Sequence, residues 1–527
     1  MAYNSPMPIR LQAGCVFPVL ALASCLTLQA QPETVLRSET HVVQVDVVAR
    51  DSKGRAVTDL TKKDFTLTSA GKPKDIQIFS VDRGERVLTA STTGASPASV
   101  VNSVKLPPNV FTNRLPSIAE HGRTTAIVLD ALNTTFDDFA NARKQVIAAV
   151  TKLEPGDRIA IYVLYQGIGV LQDYTSDREQ LLRAINAYRP PPIKPRPLLV
   201  GRPMTPALTG PSAQQAAGLR DDLTAEMSAE ETIYQVRRRA EDTMAAFRAI
   251  SGHMAILPGR KSVVWVTGGF SSQQLRDSRA HFQSTSAAMN EANVALYAVD
   301  ASLLINSKRR AIDTLQQFAE ATGGKAYYNR NDIDNAMTDA INDSHAVYTL
   351  GFYLAEDERD GKFHNLKVAV NRKGLDLRYR LGFYAGSVPL AAQLEKGAQL
   401  DSALLNPLDA TALGITIRLD PADGGSPSQR QAHINLDPET VALNRTAAGW
   451  NGSIETLIVE SDGKGAALAK FRDTTTFSIT AAKRADYDRL GITYPKSISI
   501  QTGAVKIHFI VRDQVSGRLG TLTIPLP

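Results

Sequence analysis

Two short runs in the middle of the chain constrain its fold most. Thr124-Thr-Ala-Ile-Val-Leu-Asp130 is apolar and ends on a carboxylate, and Ser262-Val-Val-Trp-Val-Thr-Gly-Gly-Phe270 is a second such run ending on a hydroxyl and two glycines. Segments 159–164 and 294–299 add further buried strands, 169–173 an edge strand, and 326–328 a last short one. Helical stripes separate them. Phe139, Ala142, Val146, Val150 and Leu153 recur at helical spacing before Pro155-Gly156, and Leu181, Leu182, Ile185 and Tyr188 follow the capping residues Thr175-Ser-Asp177. Met227, Ile233, Met244, Phe247, Ile250 and Met254 mark a long helix, and Leu315 and Phe318 one that closes on Gly323-Gly324. Alternation of strand and helix predicts an α/β, doubly wound, mostly parallel sheet with helices on both faces.

The flanks read differently. A chain of 527 residues is too long for one core, so two or three domains are expected. Segment 38–82 carries the alternation Val-Val-Gln-Val-Asp-Val-Val and further strand signals, and reads as an N-terminal β unit. Segment 83–123, rich in Ser, Thr, Ala, Pro and Asn, reads as linker. The α/β domain is expected over 124–345, interrupted by a Pro-rich insertion at 189–222 that opens Arg-Pro-Pro-Pro-Ile-Lys-Pro-Arg-Pro. A separate β unit is expected at 346–386. From 410 to 527 the strand and turn pattern, with Trp450, Ile454, Leu457, Phe477, Ile479 and Phe509 as core, predicts a C-terminal β-sandwich.

The first thirty residues predict an export signal: Arg10 supplies charge, Val16-Phe-Pro-Val-Leu-Ala-Leu-Ala23 the apolar core, and Ala30 the cleavage position. Both cysteines of the chain, Cys15 and Cys25, lie inside it, so a chain cleaved there would hold no disulfide. Leu22-Ala-Ser-Cys25 also matches a lipobox, which would make Cys25 a lipidated first residue and leave the protein lipid-anchored. Either route takes the chain to the periplasm, cell envelope or exterior. No later run is long enough for a transmembrane helix.

The paired strands resemble the von Willebrand factor A fold. Val45-Asp-Val-Val-Ala-Arg-Asp51, Leu60-Thr-Lys-Lys-Asp-Phe65, Leu129-Asp-Ala-Leu-Asn-Thr134, Leu257-Pro-Gly-Arg-Lys261, Trp265-Val-Thr-Gly-Gly-Phe270 and Arg378-Tyr-Arg-Leu-Gly-Phe-Tyr384 are similar to the acidobacterial group of von Willebrand factor A-related proteins. The resemblance implies an exported protein with an A-type domain between β-rich flanks, and a metal site of the form Asp-x-Ser-x-Ser with a second Asp after the fourth strand. Asp130 keeps the first position and Thr134 the last hydroxyl, but Leu132 replaces the first serine and Gly268 or Gly269 the second Asp. The metal site is therefore degenerate. Asp130 and Thr134 are the metal-ligand candidates, for Mg²⁺ or Mn²⁺, with Asp137, Asp138 and Asp300 as substitutes. Asp130, Asn133, Thr134 and Thr267 should converge at the crevice as a binding surface.

Other functions find less support. The net charge of +6 is spread along the chain, with no basic stripe and interleaved aromatics for nucleic acid. No dinucleotide, phosphate-loop or nucleophile-elbow motif occurs, and the eight histidines show no zinc spacing. Three readings follow. The first is a non-enzymatic module, without cofactor, that binds an unidentified protein partner through the crevice loops and the Pro-rich insertion. The second is metal-dependent adhesion through a compensated site. The third is an envelope hydrolase using Ser271 or Thr267, for which the sequence offers no base.

Overall fold

The computed structural model describes residues 41–82, 106–114, 123–189, 237–302, 309–385 and 400–526, apart from 154–155, 166, 331, 344–345, 401–402, 405, 423–427 and 447. The expected export segment with Cys25, and the Pro-rich insertion from residue 190 onward, lie outside these residues. Strands β1 (His41–Arg50), β2 (Phe65–Ser69), β3 (Lys72–Lys74) and β4 (Ile78–Asp82) open the described chain, and β5 (Val110–Thr112) follows.

The middle of the chain forms a six-stranded sheet from β6 (Thr124–Asp130), β7 (Arg158–Leu164), β8 (Ile168–Thr175), β9 (Lys261–Thr267), β10 (Val294–Asp300) and β11 (Ala326–Tyr327). Its order is β11-β10-β9-β6-β7-β8, all parallel except the antiparallel edge strand β8. From β6 the chain steps outward to β8, then returns to lay β9 on β6's other side. The order therefore reverses between β6 and β9, and a crevice opens at their carboxyl ends.

Helices cover both faces, as strands buried at every position require. One face packs against α1 (Phe136–Thr151), α2 (Arg178–Ala187) and α7 (Ile333–Asn342), through Ile127, Leu129, Val264, Val266, Tyr297 and Val299. The other meets α3 (residues 237–254), α5 (Arg279–Glu291) and α6 (Arg309–Thr322), through Ala126, Val128, Trp265, Leu296 and Ala298. Trp265 lies edge-on to Phe247 at 5.1 Å and to Phe318 at 5.9 Å between ring centroids, an arrangement that favours aromatic quadrupoles.

The two β-rich segments beside this domain are not separate units, as their sequences suggested. β12 (Val347–Leu354) pairs antiparallel with β1 over seven residues and with β4 on its other side. β13 (Phe363–Val370) pairs with β2, β14 (Asp376–Arg378) with β1, and β15 (Gly382–Tyr384) with β13. The resulting sheets, β14-β1-β12-β4 and β15-β13-β2-β3, share one apolar core that includes Val45, Val47, Phe65, Leu67, Tyr348 and Phe352. The correction has a simple cause: each segment alone has too few strands to bury an apolar face. The α/β domain is thus inserted between the halves of this β pair. Near the C terminus, β16 (Ile415–Pro421) pairs with β17 (Gln429–Leu436), and also with β5. The segment read as linker therefore contributes a strand. A second antiparallel sheet is built on β19 (Gly449–Ser461), β20 (Ala467–Ile479), β22 (Lys506–Asp513) and β23 (Leu519–Pro525), and Ile417, Ile434, Ile454, Ile458 and Phe509 belong to a core common to both sheets.

Charges cross between these parts. Asp343, at the carboxyl end of α7 and fully buried, pairs with Arg50 at the end of β1 and with Arg378 on β14. Removing its carboxylate would leave Arg50 buried without a counter-charge and Arg378 with only the exposed Asp376, and such losses cost about 3–5 kcal/mol. Asp343→Ala is expected to lower stability by that amount in denaturant titration, and a loss under about 1 kcal/mol would contradict this account.

A second bridge joins α3 to the C-terminal sheets. His253 Nδ1 lies 2.7 Å from the Asp409 carbonyl, Thr411 Oγ1 donates to the His253 carbonyl at 3.0 Å, and Thr521 Oγ1 on β23 donates to Asp409 Oδ1 at 3.2 Å. Burial pushes the Asp409 carboxyl up to about 6, opposed by the Thr521 bond and the His253 charge. A carboxyl raised on folding favours the folded state while protonated, and that advantage is lost as pH rises through about 6. Asp409→Asn is therefore expected to match the parent at about pH 3.5, below the ordinary carboxyl value, and to be more stable at pH 8, by an amount on the order of 1–2 kcal/mol. Melting temperatures followed across that range give the test. Parallel curves for the two proteins would refute it.

Candidate functional site

The crevice between β6 and β9 collects the residues that the sequence singled out. Asp130 ends β6 with 0 % exposure. A carboxylate removed from water must find donors, and this one finds five. Oδ1 accepts the backbone N–H groups of Leu132 (3.0 Å) and Asn133 (2.9 Å). Oδ2 accepts Asn133 Nδ2 (2.8 Å), Trp265 Nε1 (2.9 Å) and Thr267 Oγ1 (2.7 Å). Burial pushes the Asp130 carboxyl above its ordinary range, and the bonds from Thr267, Asn133 and Trp265 oppose that rise.

The surrounding loop is bonded just as closely. Asn133 Nδ2 also donates to Thr243 Oγ1 on α3 at 2.9 Å, and Thr243 in turn donates to the Arg239 carbonyl. Thr134 Oγ1 accepts the Gly268 N–H at 2.9 Å, and Thr267 Oγ1 accepts that of Gly269 at 2.8 Å. Asp130, Asn133, Thr134 and Thr267 thus do converge, as a network linking β6, β9 and α3.

A divalent cation does not fit this arrangement. A carboxylate offers about four lone-pair sites, and five donors already occupy them. Mg²⁺ would have to displace the Trp265 indole or the Thr267 hydroxyl, and both are packed in place with 0 % exposure. Leu132 turns toward the apolar cluster that contains Trp265 instead of presenting a ligand. The position of the missing second Asp is closed as well. A Cβ on Gly268 would sit 2.8 Å from the Asn133 carbonyl oxygen, and one on Gly269, where φ is +71°, would sit 2.8 Å from the Ala311 Cβ. Of the substitutes, Asp137 is exposed, while Asp138 is buried and its charge contributes to raising the Asp300 carboxyl. Burial is the larger cause of that rise, and Asp300 Oδ1 accepts the Ser302 N–H at 2.9 Å. Among the described residues, no three His, Cys, Asp or Glu side chains are grouped to hold a metal ion.

The nucleophile candidates are engaged too. Thr267 donates to Asp130 and has no exposed surface. Ser271 caps the helix α4 (Ser272–Asp277), its hydroxyl accepting the Gln274 N–H while Gln274 Oε1 accepts the Ser271 N–H.

Two residues escaped the sequence reading. Trp265 stood out only as an apolar strand residue, and nothing in a fully buried strand tells which side chain reaches its neighbour's end. Phe136, the first residue of α1 directly after the Thr135 cap, is 67 % exposed beside the crevice loop. Its place directly after a capping threonine was the available signal for a large aromatic left in solvent next to the polar loop.

No protein-family model matches the chain, and no curated protein does. Its matches among solved structures are weak. An aerotolerance-related membrane protein from Bacteroides fragilis, crystallised with multiple mutations to serines, is 12% identical with a TM-score of 0.27 over 42% of this chain and 99% of that one. The conserved hypothetical protein BatB from Bacteroides thetaiotaomicron gives 12% and 0.26 over 42% and 97%. A von Willebrand factor type A structure from Catenulispora acidiphila gives 10% and 0.25 over 54% and 73%.

Trp265→Phe keeps a six-membered ring but removes the pyrrole ring and with it one donor to Asp130. Oδ2 keeps the Asn133 and Thr267 bonds, but the lost bond and the space left together cost about 1–3 kcal/mol, so a loss in that range is expected in thermal or chemical unfolding. An unchanged midpoint would show that the indole bond contributes nothing.

Proposed function

We propose that the protein is an exported, non-enzymatic binding module, a von Willebrand factor A-like domain with a degenerate metal site set between β-rich flanks and a C-terminal β-sandwich. It recognises a protein partner through the crevice loops without a metal. The observation that carries this reading is the saturated Asp130. In a metal-dependent site the cation's open position is what a partner's carboxylate would complete; here tryptophan, threonine, asparagine and two backbone amides take the cation's place. The loop is thereby set in one conformation before any partner arrives, which lowers the ordering cost of recognition. Phe136 supplies the exposed aromatic such an interface requires. The buried Thr267 and the capping role of Ser271 speak against hydrolysis. Among the described residues no helix is long and apolar enough to cross a membrane, and export rests on the segment before residue 31.

Calorimetric titration of Mg²⁺ and Mn²⁺ into the protein from Gln31 onward, beside Asp130→Ala, tests the absence of metal. Neither protein should give binding heat. Heat in the parent that vanishes in Asp130→Ala would move the reading to metal-dependent adhesion. Partner recovery from envelope extracts should resist a chelator, and Phe136→Asp should abolish it with the melting temperature unchanged. Equal recovery by Phe136→Asp would remove the loop face from the proposal.

A further inference from the structure

The opposite end of the central sheet holds a second concave site. A cavity of about 240 Å³ lies where the amino ends of β9 and β10 meet β1, lined in part by Val42, Gln44, Asp46, Arg260, Glu291, Asn293 and Arg380. Arg260, Arg380 and the neighbouring Lys261 all feel the charge of Asp46, and Arg260 also feels that of Asp343. Glu291 pairs with Arg518 at 3.9 Å. Asp46 is already committed, since Oδ2 accepts Asn293 Nδ2 at 2.7 Å and Oδ1 accepts Thr349 Oγ1 at 2.8 Å. None of the three cations forms an ion pair with any described residue. Arg260 donates to the carbonyls of Gly323 and Asp46, Arg380 to the carbonyl of Gln44, and Lys261 to the carbonyl of Leu257. The Nε atoms of both arginines have no acceptor.

We propose that this cavity binds a small oxyanion, a phosphate or carboxylate group, held chiefly by Arg380 and Arg260. Both guanidiniums line the cavity without an ion pair to any described residue, and its two carboxylates, Asp46 and Glu291, are engaged elsewhere, which leaves counter-charge to a ligand. Burial lowers Arg380 to about 10, the direction expected of a cation short of a partner, while for Arg260 burial is outweighed by the charges of Tyr297, Asp46 and Asp343, which raise it. A guanidinium presents planar donors that match a carboxylate or phosphate. At roughly 30 Å³ per water the cavity has room for about eight, enough for a phosphate or a small dicarboxylate and too little for a polymer. Because Gln44 and Asp46 come from the β pair and Arg260 and Asn293 from the α/β domain, the anion would tie the two together.

The test is the melting temperature of the protein from Gln31 onward, titrated with inorganic phosphate or malonate against chloride at equal ionic strength. The parent should show a saturable rise with one or both oxyanions that chloride does not reproduce, because a ligand of the folded state alone stabilises it. Arg380→Gln should weaken the apparent affinity about tenfold or more, while Arg380→Lys keeps part of it. Val42, 46 % exposed on the rim, offers a variant that spares every charge, and Val42→Phe should block the effect without lowering the midpoint in chloride. Response to phosphate alone would assign a phosphate ligand, and to malonate alone a carboxylate. No saturable rise in the parent, or an equal rise in Val42→Phe and Arg380→Gln, would overturn the proposal.

Discussion

A parallel sheet buried on both faces forces polar chemistry to the ends of its strands. β6, β9 and β10 are buried at every position, so their side chains between the ends have only apolar helices to meet. The charged residues gather at the two edges where the sheet stops. At the carboxyl edge the fully buried carboxylate of Asp130 must be satisfied from within. At the amino edge Arg260 and Lys261 stand against the flanking β pair and donate to backbone carbonyls, with no ion pair to any described residue. One topology thus creates an edge closed by its own donors and an edge whose cations go without ion pairs.

The closed edge is held together by the residues that depart from the metal pattern implied by the resemblance. Each departure from the pattern has a structural counterpart. Leu132 packs into the aromatic cluster, Gly268 gives the Asn133 carbonyl room that a side chain would take, and Trp265 supplies the donor that a cation would otherwise make unnecessary. These changes support one another: a side chain at Gly268 would push the loop that carries Asn133 away from Asp130. Restoring one residue of the pattern would therefore break the present network without rebuilding the other.

Much of this was legible along the chain. Apolar runs ending in a polar residue marked β6 and β9, the stripe from Phe139 to Val150 marked α1, and Pro155-Gly156 marked its end. The convergence of Asp130, Asn133, Thr134 and Thr267 was legible only through the strand order that the family resemblance implied. The pairing of 38–82 with 346–386 was not legible, because strand alternation shows which face of a strand is buried and says nothing of which distant strand covers its edge. The same limit hid β5 inside a polar stretch read as linker.

What the sequence by itself determined is the class of the central domain and the position of its polar residues, because periodicity and burial are properties of short segments. What only the tertiary structure decided is how those residues are used. Whether Asp130 is open to a cation depends on the indole of Trp265, 135 positions away, arriving at 2.9 Å. Whether Arg380 has a counter-ion depends on a strand that begins more than three hundred residues earlier in the chain. Hydrogen bonds and charges act over a few ångströms of space, and the distance along a chain does not report that separation.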